Sequence, residues 1–591
     1  IYVINNMFIY IYSKLRIVGY IVVFIAIART PLALAAGPPQ GVDSAVWCEQ
    51  NADECSEWCA EHTKLNLLGS FSPSNPASWS EAGSWGIPDI IALLIVIGLL
   101  AGSIYLRMQV TAWKANYRKK QDGDGEDLRY TGSREIGCGN GTLLKYLTDA
   151  GIKYVMSSWI DLHGIPKTKP VPMSDFEELC IGKGPQFAVH SVSFVPELTP
   201  ADSDQIMLPD LNSVYICPWD KTIAIIFADL FWEGAPYNVC PRQALKRIIQ
   251  EKQNEGYAGF AGIEPEFIVM KYNEKGEPVK AIDNDPLESI RPRRQAFGYD
   301  VEYSLDSMHF LKDMIDILGE LGWNLHDVVA EGGYSQFELD FHYTDLLQMA
   351  DRLVFLKILL KEIAKKHDMF VTFMPKPTIG DWRSGGHINF SLQDVNTNTN
   401  LFKDGDKWSE ESLHAVGGLL AHSEALTAIT CPTVNSYNGL VPTVGGFEGG
   451  VHTWAPTNIT YGHNNRSAQF RLPQNRYCIE NRAADLTMNV YLALGMTISA
   501  AVEGIINKTD PGKPSDFDLY ALNDDDFKKL GIRRLPRNLL QAVDYLKKDK
   551  LAEKVMGKVM LNSYVTYKND EWERYHQAVT DWEIKEYLRL Y

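Results

Sequence analysis

Three stretches of this chain set acids or a histidine at alternate positions of otherwise apolar runs, and that pattern restricts the fold more than any other feature. Residues 260–270 read as a strand whose period of two puts Glu264 and Glu266 on one face, with Ile263 and Phe267 on the other. Pro265, between the two acids, cannot donate to a ladder and predicts an edge strand or an opened position near a site. In 337–341 the alternation separates Glu338 and Asp340 from an apolar face, and Glu331 precedes them across a Gly-Gly loop. Residues 386–393 put His387, Asn389 and Ser391 on one face and Ile388, Phe390 and Leu392 on the other. Strand-like runs such as 154–160 and 222–227 alternate with helical segments, which predicts a mixed α+β enzyme fold. A helix capped by Thr344 and reaching about His367 carries a core stripe of Leu346, Leu347, Ala350, Leu353, Val354 and Ile358.

Taken singly, each polar residue has an ordinary structural explanation, such as a surface strand with alternating Glu or a satisfied histidine. If the carboxylates converge, they need cations, because neighbouring like charges resist joint ionisation. One His among carboxylates suits magnesium or manganese better than zinc. Glu480 and Arg482 share an i, i+2 relation, and Arg466 and Arg471 lie just before them, suited to phosphoryl or carboxylate oxygens. The chain carries 57 Lys and Arg against 74 Asp and Glu, a formal charge of -17, which argues against a general attraction to nucleic acid or anionic lipid.

The first 120 residues differ from the rest. Lys14 and Arg16 precede an apolar run at 17–28, and Ala33-Leu34-Ala35 follows, so 1–36 reads as a signal or leader segment, with an uncleaved anchor or mistranslated leader as the alternative. Residues 37–89 are expected to be extracytoplasmic; there two of Cys48, Cys55 and Cys59 could pair, leaving one over, while a zinc site has only His62 as a nearby fourth ligand. The uncharged run 90–106 is long enough to span a bilayer, and Arg107, Lys114, Arg118, Lys119 and Lys120 after it place the C-terminal side in the cytoplasm. Residues 107–142 form a basic juxtamembrane region and linker, within which the glycines of 137–142 read as a flexible boundary rather than a nucleotide loop.

Together with Gly262-Ile263-Glu264-Pro265-Glu266-Phe267, Gln336-Phe337-Glu338, Phe373-Met374-Pro375-Lys376-Pro377, Ser384-Gly385-Gly386-His387, Pro432-Thr433-Val434-Asn435-Ser436-Tyr437 and Asn465-Arg466-Ser467, the chain from about Leu143 to Tyr591 resembles the glutamine synthetase superfamily. It is most similar to the type III glutamate-ammonia ligase branch, which includes γ-glutamylmethylamide synthetase-like enzymes. The resemblance implies a β-grasp domain at 143–240 and a catalytic domain at 241–591 whose curved antiparallel sheet forms a funnel, in a homo-oligomeric ring with sites between subunits. It implies Glu266, Glu331 and Glu338 as ligands of one Mg2+ or Mn2+, and Glu264, His387 and Glu480 as ligands of another. It also implies Ser391 and Arg471 as ATP contacts, Arg466 and Arg482 as catalytic arginines, and Glu448, in the glycine-rich segment 445–450, as the flap glutamate. The implied reaction is ATP-dependent joining of glutamate or a similar acid to ammonia or a small amine through an acyl phosphate.

The departures from the pattern are specific. Asn438-Gly439-Leu440 stands where the resemblance implies Lys-Arg-Leu, whose Arg holds the substrate's α-carboxylate. Arg383 replaces a glycine, Cys478 an ATP-site arginine, and Asn389 and Val329 histidines. The loop around Phe187 to Ser191 lacks the ammonium-binding aspartate, which favours an alkylamine. Either Arg383 or Arg476 supplies the missing charge from another direction, or activity is weakened or lost. The competing reading is a membrane-tethered nucleotide- or metal-binding sensor of the same fold.

Overall fold

The structure is a computed structural model and describes residues 142–189, 198–282, 298–299, 301–333, 335–378, 381–444 and 451–591. The leader, the cysteine-bearing segment, the apolar run 90–106, the basic linker up to residue 141 and Glu448 lie outside these residues.

The N-terminal part is a mixed sheet of β1 (Tyr154–Ile160), β2 (Pro166–Pro172), β3 (Gln186–Ala188), β4 (Asp204–Ile216) and β5 (Ile223–Trp232), in the order β2-β1-β5-β4-β3 with Ala235–Pro236 paired to β5. The β1–β5 pair is parallel and its neighbours antiparallel. β5 is the most apolar strand, and Ala224, Ile226, Phe227, Ala228 and Leu230 are fully buried.

The larger part is built on a curled sheet centred on β6 (Tyr257–Tyr272). Continuing along the chain, its further strands are β7 (Leu325–Ala330), β8 (Gln336–Phe341), β9 (Thr344–Asp345), β10 (Phe370–Thr372), β11 (Gly386–Asp394), β12 (Tyr461–His463), β13 (Phe470–Leu472) and β14 (Ile479–Asn481), with Pro278–Lys280 also paired to β6. The main path runs β12-β13-β14-β11-β6-β8-β7. All pairs on it are antiparallel except β12–β13. Helices α1 (Pro241–Asn254), α2 (Leu346–Lys366) and α3 (Val490–Asn507) pack on the apolar side of β6. There Ile263, Phe267, Ile388, Phe390, Phe337 and Leu339 are buried, as the alternation requires.

Of two local expectations, the one for Pro265 resolves to its second alternative, an opened position, and the other changes. β6 is central rather than an edge strand; Pro265 is tolerated because β9 pairs only with Phe260 and Ala261, and β8 begins at Glu266, so on that side the ladder is open at Pro265. The cap of α2 is Asp345, whose side chain accepts from the Gln348 amide at 3.0 Å, while Thr344 belongs to β9 and reaches the Gln348 side chain instead. α3 is long and apolar enough to cross a membrane, but every residue from Val490 to Val502 is buried in the core.

A buried ionic knot fastens the two parts. Arg242, at the start of α1, donates to Asp351 of α2 at 3.0 and 2.8 Å, to Asp229 of β5 at 2.9 Å and to Asp210 of β4 at 2.9 Å. Lys246 bonds Asp229 and Asp210 as well, and the Tyr491 hydroxyl of α3 donates to Asp351 at 2.7 Å. Burial opposes the Arg242 charge, yet the three carboxylates more than offset it and hold the guanidinium protonated. Arg242→Met strands three aspartates beside a single lysine; we expect a loss of about 3–5 kcal/mol, read as a lowered urea midpoint.

Candidate active site

The site lies on the polar face of the curled sheet. Register sets His387 of β11 opposite Glu264 of β6, Glu338 of β8 opposite Glu266, and Asn389 opposite both Gly262 and Glu480 of β14. Three strands thereby deliver acids, and a fourth a histidine, to one place. His387 Nδ1 is 3.2 Å from Glu264 and 3.9 Å from Glu480, and its Nε2 is 3.6 Å from Glu266. Gly385 makes room for this meeting: a Cβ there would lie 2.7 Å from Glu266 Oε1 and 2.8 Å from His387 Nε2.

Three groups of side chains could each surround a cation: Glu264, His387 and Glu480; Glu266, Glu338 and His387; and Glu264, Glu338 and Asp340. Each offers one ligand atom, all within 4.8 Å of one another. The first group coincides with the trio implied by resemblance. In the second, His387 stands where Glu331 was expected; Glu331 lies alongside, sharing a hydrogen bond with Glu338 and feeling the charge of Glu266. The donor set is oxygen-rich with one imidazole, which fits hard divalent ions.

The charge distribution is uneven. Burial pushes Glu338 well above the ordinary carboxylate range, helped by Glu266, Glu264, Glu331 and Asp340. Glu331 is raised by burial and Glu266, and Asp340 reaches about 6 through burial, Glu264 and Asp327. Glu480 behaves oppositely: burial would raise it, but Arg482, His387 and Arg471 bring it down to about 2. Glu264 feels the same opposition between burial and its partners His387 and Arg476, and ends lowered. Arg471 Nη1 donates to Glu480 at 2.7 Å and Arg482 Nη1 at 2.5 Å, so Glu480 is held from behind by two buried guanidiniums.

Arg466 is exposed on its loop, its guanidinium 5.8 Å from the Trp454 ring and its carbonyl accepting from Arg482 Nε at 3.1 Å. Ser391 continues the polar row of β11 beyond Asn389 and is half-buried. Arg383 turns away from the carboxylates: its Nη2 donates to Ala483 O at 2.6 Å and pairs with buried Asp485 at 3.3 Å. Its stem explains Gly439, where a Cβ would fall 2.5 Å from Arg383 Cδ. The two departures are thus one packing arrangement. Of the two arginines considered as replacements for the missing charge, Arg476 is the one at the carboxylates.

Gln336 was not given a role from the sequence. Its Nε2 donates to Glu266 Oε2 at 2.8 Å and to Arg383 O at 3.1 Å, and its Oε1 accepts from the Gly333 amide at 3.1 Å. It therefore ties Glu266 to both loops that flank it. Gln336 shares the parity of Glu338 and Asp340 along β8, the signal by which it could have been found.

Over residues 238–587 the chain matches the family described as glutamine synthetase, catalytic domain. It therefore belongs to the glutamine synthetase family and is a glutamate-ammonia ligase-like enzyme. Among relatives, it is 33% identical over 454 residues to the glutamate–methylamine ligase of Methyloversatilis universalis, covering 76% of this chain and 98% of that protein. A glutamine synthetase of Rhizobium meliloti is 33% identical over 447 residues, covering 75% and 98%. A solved GmaS/ADP complex superposes with a TM-score of 0.68 at 30% identity, covering 76% of this chain and 99% of that one; ligand-free GmaS gives 0.67 at 28% identity, covering 76% and 100%.

Two outcomes are expected at this site. For Asp340, Glu331 and Glu338 the folded pKa lies above the unfolded value, so their favourable contribution is present below the unfolded pKa and is lost as pH rises through the folded pKa, about 6 for Asp340. Divalent cations should therefore raise the melting temperature of metal-stripped protein more at about pH 7.5 than at about pH 5, measured by calorimetry. Gly439→Ala should cost about 1–3 kcal/mol by crowding Arg383, and a double-mutant cycle with Arg383→Gly should recover most of it.

Proposed function

We propose that the chain is an ATP-dependent ligase that joins glutamate or a similar acid to ammonia or a small amine through an acyl phosphate. The observation that carries this reading is the convergence of Glu264, Glu266, Glu338, His387 and Glu480 from four strands, backed by Arg471 and Arg482. Glu264, His387 and Glu480 would hold one Mg2+ or Mn2+, and Glu266, Glu331 and Glu338 a second. Ions bound there would neutralise ATP oxygens and aid transfer of the terminal phosphoryl group.

In this reading the substrate carboxylate oxygen attacks the γ-phosphorus and ADP leaves; the amine nitrogen then attacks the acyl carbon, phosphate departs and the nitrogen gives up a proton. Arg471 and Arg482 keep Glu480 ionised and fixed. Arg466 extends beyond them to meet charge developing on the phosphoryl oxygens. Ser391 contacts the nucleotide. Glu448 belongs to a flap that excludes water, since hydrolysis of an acyl phosphate competes with amine attack.

The N-terminal sheet is read as the β-grasp domain of a homo-oligomeric ring, and the run 90–106 as a tether holding this body at the cytoplasmic side of a membrane. An alkylamine is favoured over ammonia by the loop at 187–191 and by the likeness to a glutamate–methylamine ligase.

The test is ADP release by the purified chain with glutamate plus ammonium or methylamine. We expect amine-dependent turnover that falls at least about 100-fold in Glu338→Ala. Nucleotide binding without turnover for any acid and amine pair would instead favour the sensor.

A further inference from the structure

Arg476 differs from the other arginines at the site. It precedes β14, four residues before Glu480, and its Nη2 donates to Glu264 Oε1 at 3.0 Å and to Asn389 Oδ1 at 2.9 Å. The same Nη2 lies 3.9 Å from Glu480 Oε2. It thus sits between two members of the Glu264, His387, Glu480 trio, where positive charge is wanted. Asn389 completes the arrangement: its Nδ2 donates to the same Glu264 oxygen at 2.9 Å while its Oδ1 receives Arg476.

The attachments of these arginines differ in kind. Arg471 and Arg482 are buried, with side chains 11% and 5% exposed, and are bound directly to Glu480. Arg471 is further tied to Asn464, and Arg482 to the carbonyl of Arg466. The Arg476 side chain is 43% exposed, and its contacts with Glu264 and Asn389 are made through one terminal nitrogen. A guanidinium held in this way can leave Glu264 without opening the core.

We infer that, before a divalent ion binds, Arg476 supplies the cation beside Glu264, and that the ion displaces it outward to bind the phosphates of the nucleotide. A divalent ion and a guanidinium cannot share one carboxylate oxygen without strong repulsion, so the two compete for Glu264. Once released, the planar, permanently charged fork is suited to phosphoryl oxygens. Arg476 thereby couples cation binding to nucleotide binding, an addition that rests on the ligase reading above.

The alternative is a fixed ion pair that merely orients Glu264, and it predicts the opposite sign. The experiment is calorimetric titration of the full chain with Mn2+ alone, then with a non-hydrolysable ATP analogue at saturating Mn2+, for the unaltered protein, Arg476→Gln and Arg476→Lys. Because Gln removes the competing charge, we expect Mn2+ to bind about three- to tenfold more tightly and the analogue at least about tenfold more weakly, with Lys intermediate in both. Unchanged or weaker Mn2+ binding in Arg476→Gln overturns the inference, as does an unchanged analogue affinity. If the unaltered chain binds neither Mn2+ nor the analogue, the ligase reading fails and this inference with it.

Discussion

Negative charge gathered on one face of a sheet is the constraint around which this molecule is arranged. Glu264, Glu266, Glu338 and Glu480, from three strands, approach a single histidine on a fourth. Left alone, carboxylates so close and so buried resist ionisation, as the upward shifts of Glu331, Glu338 and Asp340 record. The protein answers in two ways. On the Glu480 side, Arg471 and Arg482 are built in as permanent counter-charges, and Glu480 stays ionised. On the Glu338 side no such guanidinium is bonded among the described residues, and burial with the neighbouring carboxylates raises its pKa instead. The half around Glu480 thus carries counter-charge of its own, and the half around Glu338 does not.

The scaffold is consistent with that demand. The opposite face of the same strands is apolar and covered by α1, α2 and α3, so the acids cannot rotate away without exposing core residues such as Phe267, Phe337 and Phe390. Gln336, bridging Glu266 to the loops at Gly333 and Arg383, adds orientation to placement. The knot around Arg242 joins the N-terminal sheet to this scaffold by charge in the interior, an arrangement costly to break and therefore specific about how the parts meet.

Most of the catalytic sheet was legible because strands have a period of two and these strands divide sharply into acid and apolar rows. The three stretches read from the sequence became β6, β8 and β11, with their polar residues on a common face. Proline suggested an edge or an opened position near a site, and which of the two holds depends on where other strands start. Thr344 and Asp345 both lie in β9, and the choice between them as cap followed from which side-chain oxygen reaches the Gln348 amide, Asp345 Oδ1 at 3.0 Å. Gln336 has the parity of the acids, yet an amide on a strand carries no distinctive signal until its partners are known.

The sequence by itself determined which residues could share a face and which family of chemistry they suit, because alternation and residue type are local properties of the chain. It also exposed the exchanged positions Arg383 and Gly439. Only the tertiary structure decided what they mean: Arg383 is held beneath the site by Asp485 and fills the space a side chain at Gly439 would need. It was likewise tertiary packing that brought Arg476, 212 positions from Glu264, to within 3.0 Å of it. Where a long side chain ends is set by the partners folding brings within reach, and no spacing along the chain encodes that.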